Sequence, residues 1–132
     1  TFYMYSEGEQ TATIHAQIVV DGVRFNIFVT HLGNGGPIVQ QEAVLQELDG
    51  LENVIAMGDF NFRPDSEQYA LTTQVLEDAW LLRWPSGIDE NGNNPAQRID
   101  HVFLSPGLNV PEARFHTGPE SDHPALIVEL SW

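Results

Sequence analysis

The sequence predicts an α/β fold, a mixed β-sheet carrying helices on its outer face, and three observations support this. Near the start, two apolar-polar alternations flank an Asp-Gly pair, the pattern of a β-hairpin. A helix-like segment then separates two apolar strands, so the intervening chain must cross over one side of the sheet. Further short apolar runs follow, each closed by Gly, Pro or Asn, with no internal repeat and no clear linker. The whole of residues 1–132 is expected to be a single structural unit.

In the first strand Ala12, Ile14, Ala16, Ile18 and Val20 fall on one side, and Thr13, His15, Gln17 and Val19 on the other. Asp21-Gly22 favours a type I′ turn, after which Val23, Phe25, Ile27 and Val29 alternate with Arg24, Asn26, Phe28 and Thr30. His15, among the polar positions, reads as a solvent-facing or cross-strand side chain. The second strand runs into His31-Leu32-Gly33-Asn34-Gly35-Gly36-Pro37, a loop whose glycines let backbone N–H groups approach an anion. Pro37 suits a first helical turn, and residues 38–49 place Val44, Leu45 and Leu48 on one face with Gln40, Gln41, Glu42, Gln46 and Glu47 outward.

Gly50 ends that helix, and Val54-Ile55-Ala56-Met57 forms a short buried strand around whose end the chain is organised. Gly58 allows a sharp turn, so Asp59 and Asn61 emerge where a carboxylate and an amide can hold a hard cation or orient a water molecule. Asp65 or Ser66 caps a short helix through Tyr69, Leu71 and Thr72. Residues 75–84 supply a dense apolar contribution, and residues 85–97 are turn chemistry, an exposed loop long enough to flank a substrate. Arg98 to Ser105 is a further strand with Asp100 between apolar neighbours, a carboxylate that requires hydrogen-bond partners. Val110 to Phe115 reads as an edge strand, and Ser121-Asp122-His123-Pro124 leads into a final strand from Ala125 to Leu130.

Composition narrows the function. Nineteen acidic residues against five arginines and no lysine give a net charge of −14, which disfavours duplex nucleic acid as a partner unless basic surface is supplied elsewhere. The absence of cysteine excludes disulfides, thiolate zinc sites and a cysteine nucleophile. No apolar run approaches the roughly 18 residues of a membrane-spanning helix, so no transmembrane segment is expected in this chain.

His31, Asp59, Asn61, Asp100, Asp122 and His123 all lie beside or within apolar β-segments, positions that can converge on one crevice of an α/β sheet. That inventory permits metal-assisted attack of water on a phosphoester: carboxylates for Mg²⁺ or Mn²⁺, an imidazole oriented by a carboxylate for proton transfer, and neutral donors for the developing charge.

Thr30-His31-Leu32, Gly58-Asp59-Phe60-Asn61, Arg98-Ile99-Asp100-His101 and Ser121-Asp122-His123-Pro124, in this order, resemble the carboxyl-terminal half of the endonuclease/exonuclease/phosphatase (deoxyribonuclease I-like) superfamily. The resemblance implies a divalent-metal-dependent phosphoesterase, acting on phosphodiesters or phosphomonoesters. By position, Asp59, Asn61, Asp100 and His123 would be catalytic, His31 and Asn61 would contact the scissile phosphate, and Asp59 and Asp122 would serve the metal, Mg²⁺ or Mn²⁺. Asp100 would orient His123 as general acid or base. His101 stands where the family often has tyrosine.

The family's complete fold is a four-layer α/β/β/α sandwich, and its first half contributes an asparagine and a metal-binding glutamate that this chain does not replace. The expectation is therefore half a sandwich, incomplete as an enzyme, with a second apolar sheet face left uncovered. Exposing about 600 Å² of such a face would forgo on the order of 15 kcal/mol. The expected partner is the missing amino-terminal half or a second copy of the chain, giving a dimer. The alternative is a binding or assembly module that keeps the fold without turnover.

Overall fold

The computed structural model describes residues 2–3 and 11–132. In chain order the elements are β1 (Phe2–Tyr3), β2 (Thr11–Val20), β3 (Val23–His31), α1 (Ile38–Leu48), β4 (Val54–Asp59), α2 (Glu67–Thr72), β5 (Glu77–Asp78), α3 (Ala79–Arg83), β6 (Asp100–Leu104), β7 (Asn109–His116) and β8 (Ala125–Ser131). Six strands form one sheet in the order β1-β2-β3-β4-β6-β5, and β7 pairs with β8 in a separate two-stranded ribbon. Among the described strands only β3 and β4 run parallel, joined by α1, and the sheet is mixed as the strand-helix-strand pattern requires.

The β2–β3 hairpin forms at the predicted turn, with Asp21 and Gly22 both at positive φ, as a type I′ turn demands. His15 is exposed and stacks on its cross-strand neighbour Phe28, the ring centroids 4.3 Å apart. Ser66 accepts the Tyr69 N–H and caps α2.

One face of the sheet presents Phe28, Val54, Ala56 and Phe103 to Val44 and Leu48 of α1 and to Tyr69 of α2. The expectation for α1 needs one correction. Gln40 and Gln41, read as outward, are buried, because each has a distant polar partner. Gln40 Oε1 accepts the Gly33 N–H at 2.8 Å, and Gln41 Nε2 donates to Thr72 Oγ1 at 2.7 Å.

The opposite face holds Ile27, Ile55, Met57, Val102 and Leu104. Val110, Leu126, Val128 and Leu130 of the β7–β8 ribbon pack into the same cluster, so the final strands cover part of that face instead of extending the sheet. Trp80 of α3 buttresses Phe115 of β7 at 5.1 Å, and Trp84 donates its indole N–H to the Ala113 carbonyl. The covering stops short of β2 and its neighbour: Ile14, Ile18, Val20 and Val29 remain exposed. No helix of the described residues is long and apolar enough to cross a membrane.

Candidate active site

The register of the sheet assembles the site. His31 pairs with Asp59 across the parallel β3–β4 ladder, and Asp59 pairs with Asp100 across the antiparallel β4–β6 ladder. Paired residues share a face, so these side chains form one row at the carboxyl ends of β3 and β4 and the start of β6. The alternation that puts Ile55 and Met57 on the ribbon-facing side puts Asp59 there as well.

Gly58 makes the close approach possible. Its φ is +137°, and a Cβ there would collide with the Thr30 carbonyl oxygen. Past it, Asn61 adopts a positive φ of 55° and is held at both ends: its N–H donates to Asp59 Oδ1 at 2.9 Å, and its Nδ2 donates to the Leu32 carbonyl at 2.8 Å. Asp59 and Asn61 thus form one hydrogen-bonded unit tied to the loop after β3.

His123 arrives from the other sheet, two residues before β8. Its Nδ1 lies 2.8 Å from Asp100 Oδ2 and 3.9 Å from Asp59 Oδ2. His31 Nε2 lies 3.5 Å from Asp59 Oδ2, on a side chain that is 72% exposed. With Asp100 accepting the Nδ1–H, the Nε2 of His123 is the ring nitrogen left able to take up or release a proton. The hydrogen bond to the Asp100 carboxylate, followed by its charge, raises the pKa of His123, and Asp59 and Asp122 add to the effect. The pKa of Asp100 is also raised, first by burial and then by the like charge of Asp59, while its bond to His123 works the other way. Two carboxylates around one imidazole favour its protonated form relative to an isolated histidine.

Asp59, Asp100 and His123 present ligand atoms within 4.8 Å of one another. The two carboxylates fit a hard divalent cation that takes a few protein oxygens and completes its shell with water and phosphate, and the imidazole stands alongside them. Of the residues singled out in the sequence, His31, Asp59, Asn61, Asp100 and His123 are therefore gathered in one place. Asp122 is exposed, next to His123, and stands outside the three-residue cluster.

A supporting network was not apparent from the sequence. Buried Asp78 caps α3 through the Trp80 and Leu81 N–H groups, accepts from Tyr69 Oη at 2.7 Å, and pairs with Arg98. Arg98 also donates to the Pro95 carbonyl, which fixes the chain just before Ile99 and Asp100. The available signal was Asp78 itself, an N-cap residue in front of Ala79-Trp80. His101, next to Asp100 but on the opposite side of the strand, is buried and bonds the Phe62 carbonyl at 2.9 Å.

Comparison with known proteins agrees with this geometry. The chain matches the model of the Endonuclease/Exonuclease/phosphatase family over residues 17–123. No sequence among curated proteins is significantly similar to it. Its fold is similar to that of an endonuclease/exonuclease/phosphatase from Beutenbergia cavernae (TM-score 0.70, 21% identity, covering 92% of this chain and 39% of that one). It is similar as well to a functionally unknown conserved protein from Enterococcus faecalis (TM-score 0.71, 19% identity, 98% and 60%). A third similar structure is the human Nocturnin catalytic domain (TM-score 0.66, 23% identity, 92% and 52%). The chain thus spans between about two fifths and three fifths of the length of these structures. The match over most of its length, and the ordered row of carboxylates and imidazoles within it, establish that the chain belongs to the endonuclease/exonuclease/phosphatase family.

Proposed function

We propose that this chain is the catalytic carboxyl-terminal half of a phosphoesterase dependent on Mg²⁺ or Mn²⁺. The observation that carries the reading is the His123–Asp100 hydrogen bond of 2.8 Å with Asp59 alongside. Asp100 fixes the tautomer of His123 and stabilises its protonated form, so Nε2 can take a proton or return one at the reacting ester. The Asp59 carboxylate, oriented by the Asn61 N–H, is placed to accept a hydrogen bond from the attacking water. His31 and Asn61 supply neutral or cationic donors toward the phosphate oxygens. Asp59 and Asp100, with Asp122 at the rim, would hold the divalent cation, whose charge would neutralise the phosphate.

The open part of the sheet around Ile14, Ile18, Val20 and Val29 is, in this reading, the seat of the family's amino-terminal half or of a second copy of the chain. The short span relative to the similar structures supports the first of these occupants.

The test, made on the full-length protein that carries this half, is hydrolysis of bis(4-nitrophenyl) phosphate and 4-nitrophenyl phosphate in the presence of Mn²⁺ or Mg²⁺, with and without chelator. Turnover should require the cation and fall by a factor on the order of 10²–10⁴ in His123→Ala. Undiminished activity in that variant would overturn the assignment.

A further inference from the structure

A cavity of about 500 Å³ opens directly beside the Asp100–His123 pair. Its volume lies within the range of sites that enclose small molecules. Its walls are apolar and stiff: Pro95, Ile99, Phe115 and Pro124. Phe115 is backed by Trp80, and the Pro95 carbonyl is held by Arg98. Asn94 and Gln97 stand at the exposed rim, neighbours of the turn that Asp89 closes by accepting from Asn91 and Asn93.

The cationic groups that line the cavity are already paired. Of the five arginines only Arg98 lines it, and that guanidinium is buried and committed to Asp78, while His123 is bonded to Asp100. Asp100 and Asp122 stand at the catalytic end, so an anionic occupant meets like charge there and an uncompensated apolar wall elsewhere. These terms disfavour a second phosphate or a nucleic-acid backbone.

Resting on the phosphoesterase reading, we infer that this cavity receives the organic group esterified to the phosphate and selects an uncharged, ring-sized one. The wall of Pro95, Ile99, Phe115 and Pro124 recognises it by contact, and the rim amides rather than charges face its outer edge.

The experiment measures binding rather than turnover, by calorimetric titration of the full chain with three probes: methylphosphonate, phenylphosphonate and 4-carboxyphenylphosphonate. Phenylphosphonate should bind about tenfold more tightly than either of the others. Asn94→Lys, at an exposed position, should improve the carboxylated probe about fivefold and leave methylphosphonate unchanged, because a cation is then available at the rim. Gln97→Lys serves as an independent second variant with the same expectation. Three probes bound within twofold of one another, or rim lysines that shift all three equally, would overturn the proposal. Phosphoester turnover alongside such flat affinities would sink the cavity's role alone. The expected ranking without turnover of any ester by the cation-loaded full-length protein would retain the cavity and sink the phosphoesterase reading.

Discussion

Acidification from about pH 7.5 to about pH 5 should cost the fold about 2 kcal/mol through His101 alone. The ring is 2% exposed, lies between Phe62 and Phe103, and has the Phe62 carbonyl on Nε2, with no partner for Nδ1. Burial lowers its pKa from 6.5 to about 4, against the smaller opposing pull of the Phe62 carbonyl. An unfolded chain therefore takes up this proton well before the folded one does. The stability gained by keeping the ring neutral is complete above 6.5 and is lost as pH falls toward 4. At about 1.4 kcal/mol per pH unit, some 1.5 units of that gap are expressed at pH 5, which gives the figure of about 2 kcal/mol. Urea denaturation followed by tryptophan fluorescence at both pH values measures it. His101→Phe cannot titrate. It should be less stable at neutral pH by about 1–3 kcal/mol, because the Phe62 carbonyl loses its donor, yet its loss between the two pH values should be smaller by about 2 kcal/mol. Equal acid losses in the two proteins would refute the reasoning.

Two further outcomes follow from the site. In metal-free protein, Asp100→Asn should bring the NMR titration of His123 down toward the ordinary histidine value, since the carboxylate is the largest cause of its upward shift; in the cation-loaded full-length protein it should slow ester hydrolysis on the order of a hundredfold or more. Asp78→Asn should destabilise the fold by about 3–5 kcal/mol in denaturation, because it leaves the Arg98 guanidinium buried without its counter-charge. Restoring apolar balance with Arg98→Met in the same chain should recover part of that loss.

The legible parts of the molecule were those dictated over a few residues. Asp21-Gly22 needs only its own φ preferences to close a hairpin, and Gly58 announces a sharp turn wherever the strand before it packs. The candidate site was legible as ordered motifs, whereas the pairing of Asp100 with His123 depends on a register and a ribbon that alternation alone does not specify. Gln40 and Gln41 look like surface residues because nothing within the helix indicates the Gly33 N–H or the Thr72 hydroxyl that receives them. Asp78 and Arg98 are twenty positions apart, and only the folded chain brings them together. The same holds for β7 and β8: each reads as a strand, but period-two patterning does not say whether it will join the sheet or lie across it.

That last arrangement means that no backbone ladder ties the His123 imidazole to its carboxylate. His123 belongs to a two-stranded flap and Asp100 to the main platform, so the dyad lasts only as long as the apolar seam between them stays shut. A fluctuation that lifts the ribbon would part His123 from Asp100 while leaving the main sheet's own hydrogen bonding untouched. Under the proposed function, integrity of the dyad and global foldedness are therefore separable properties of this molecule.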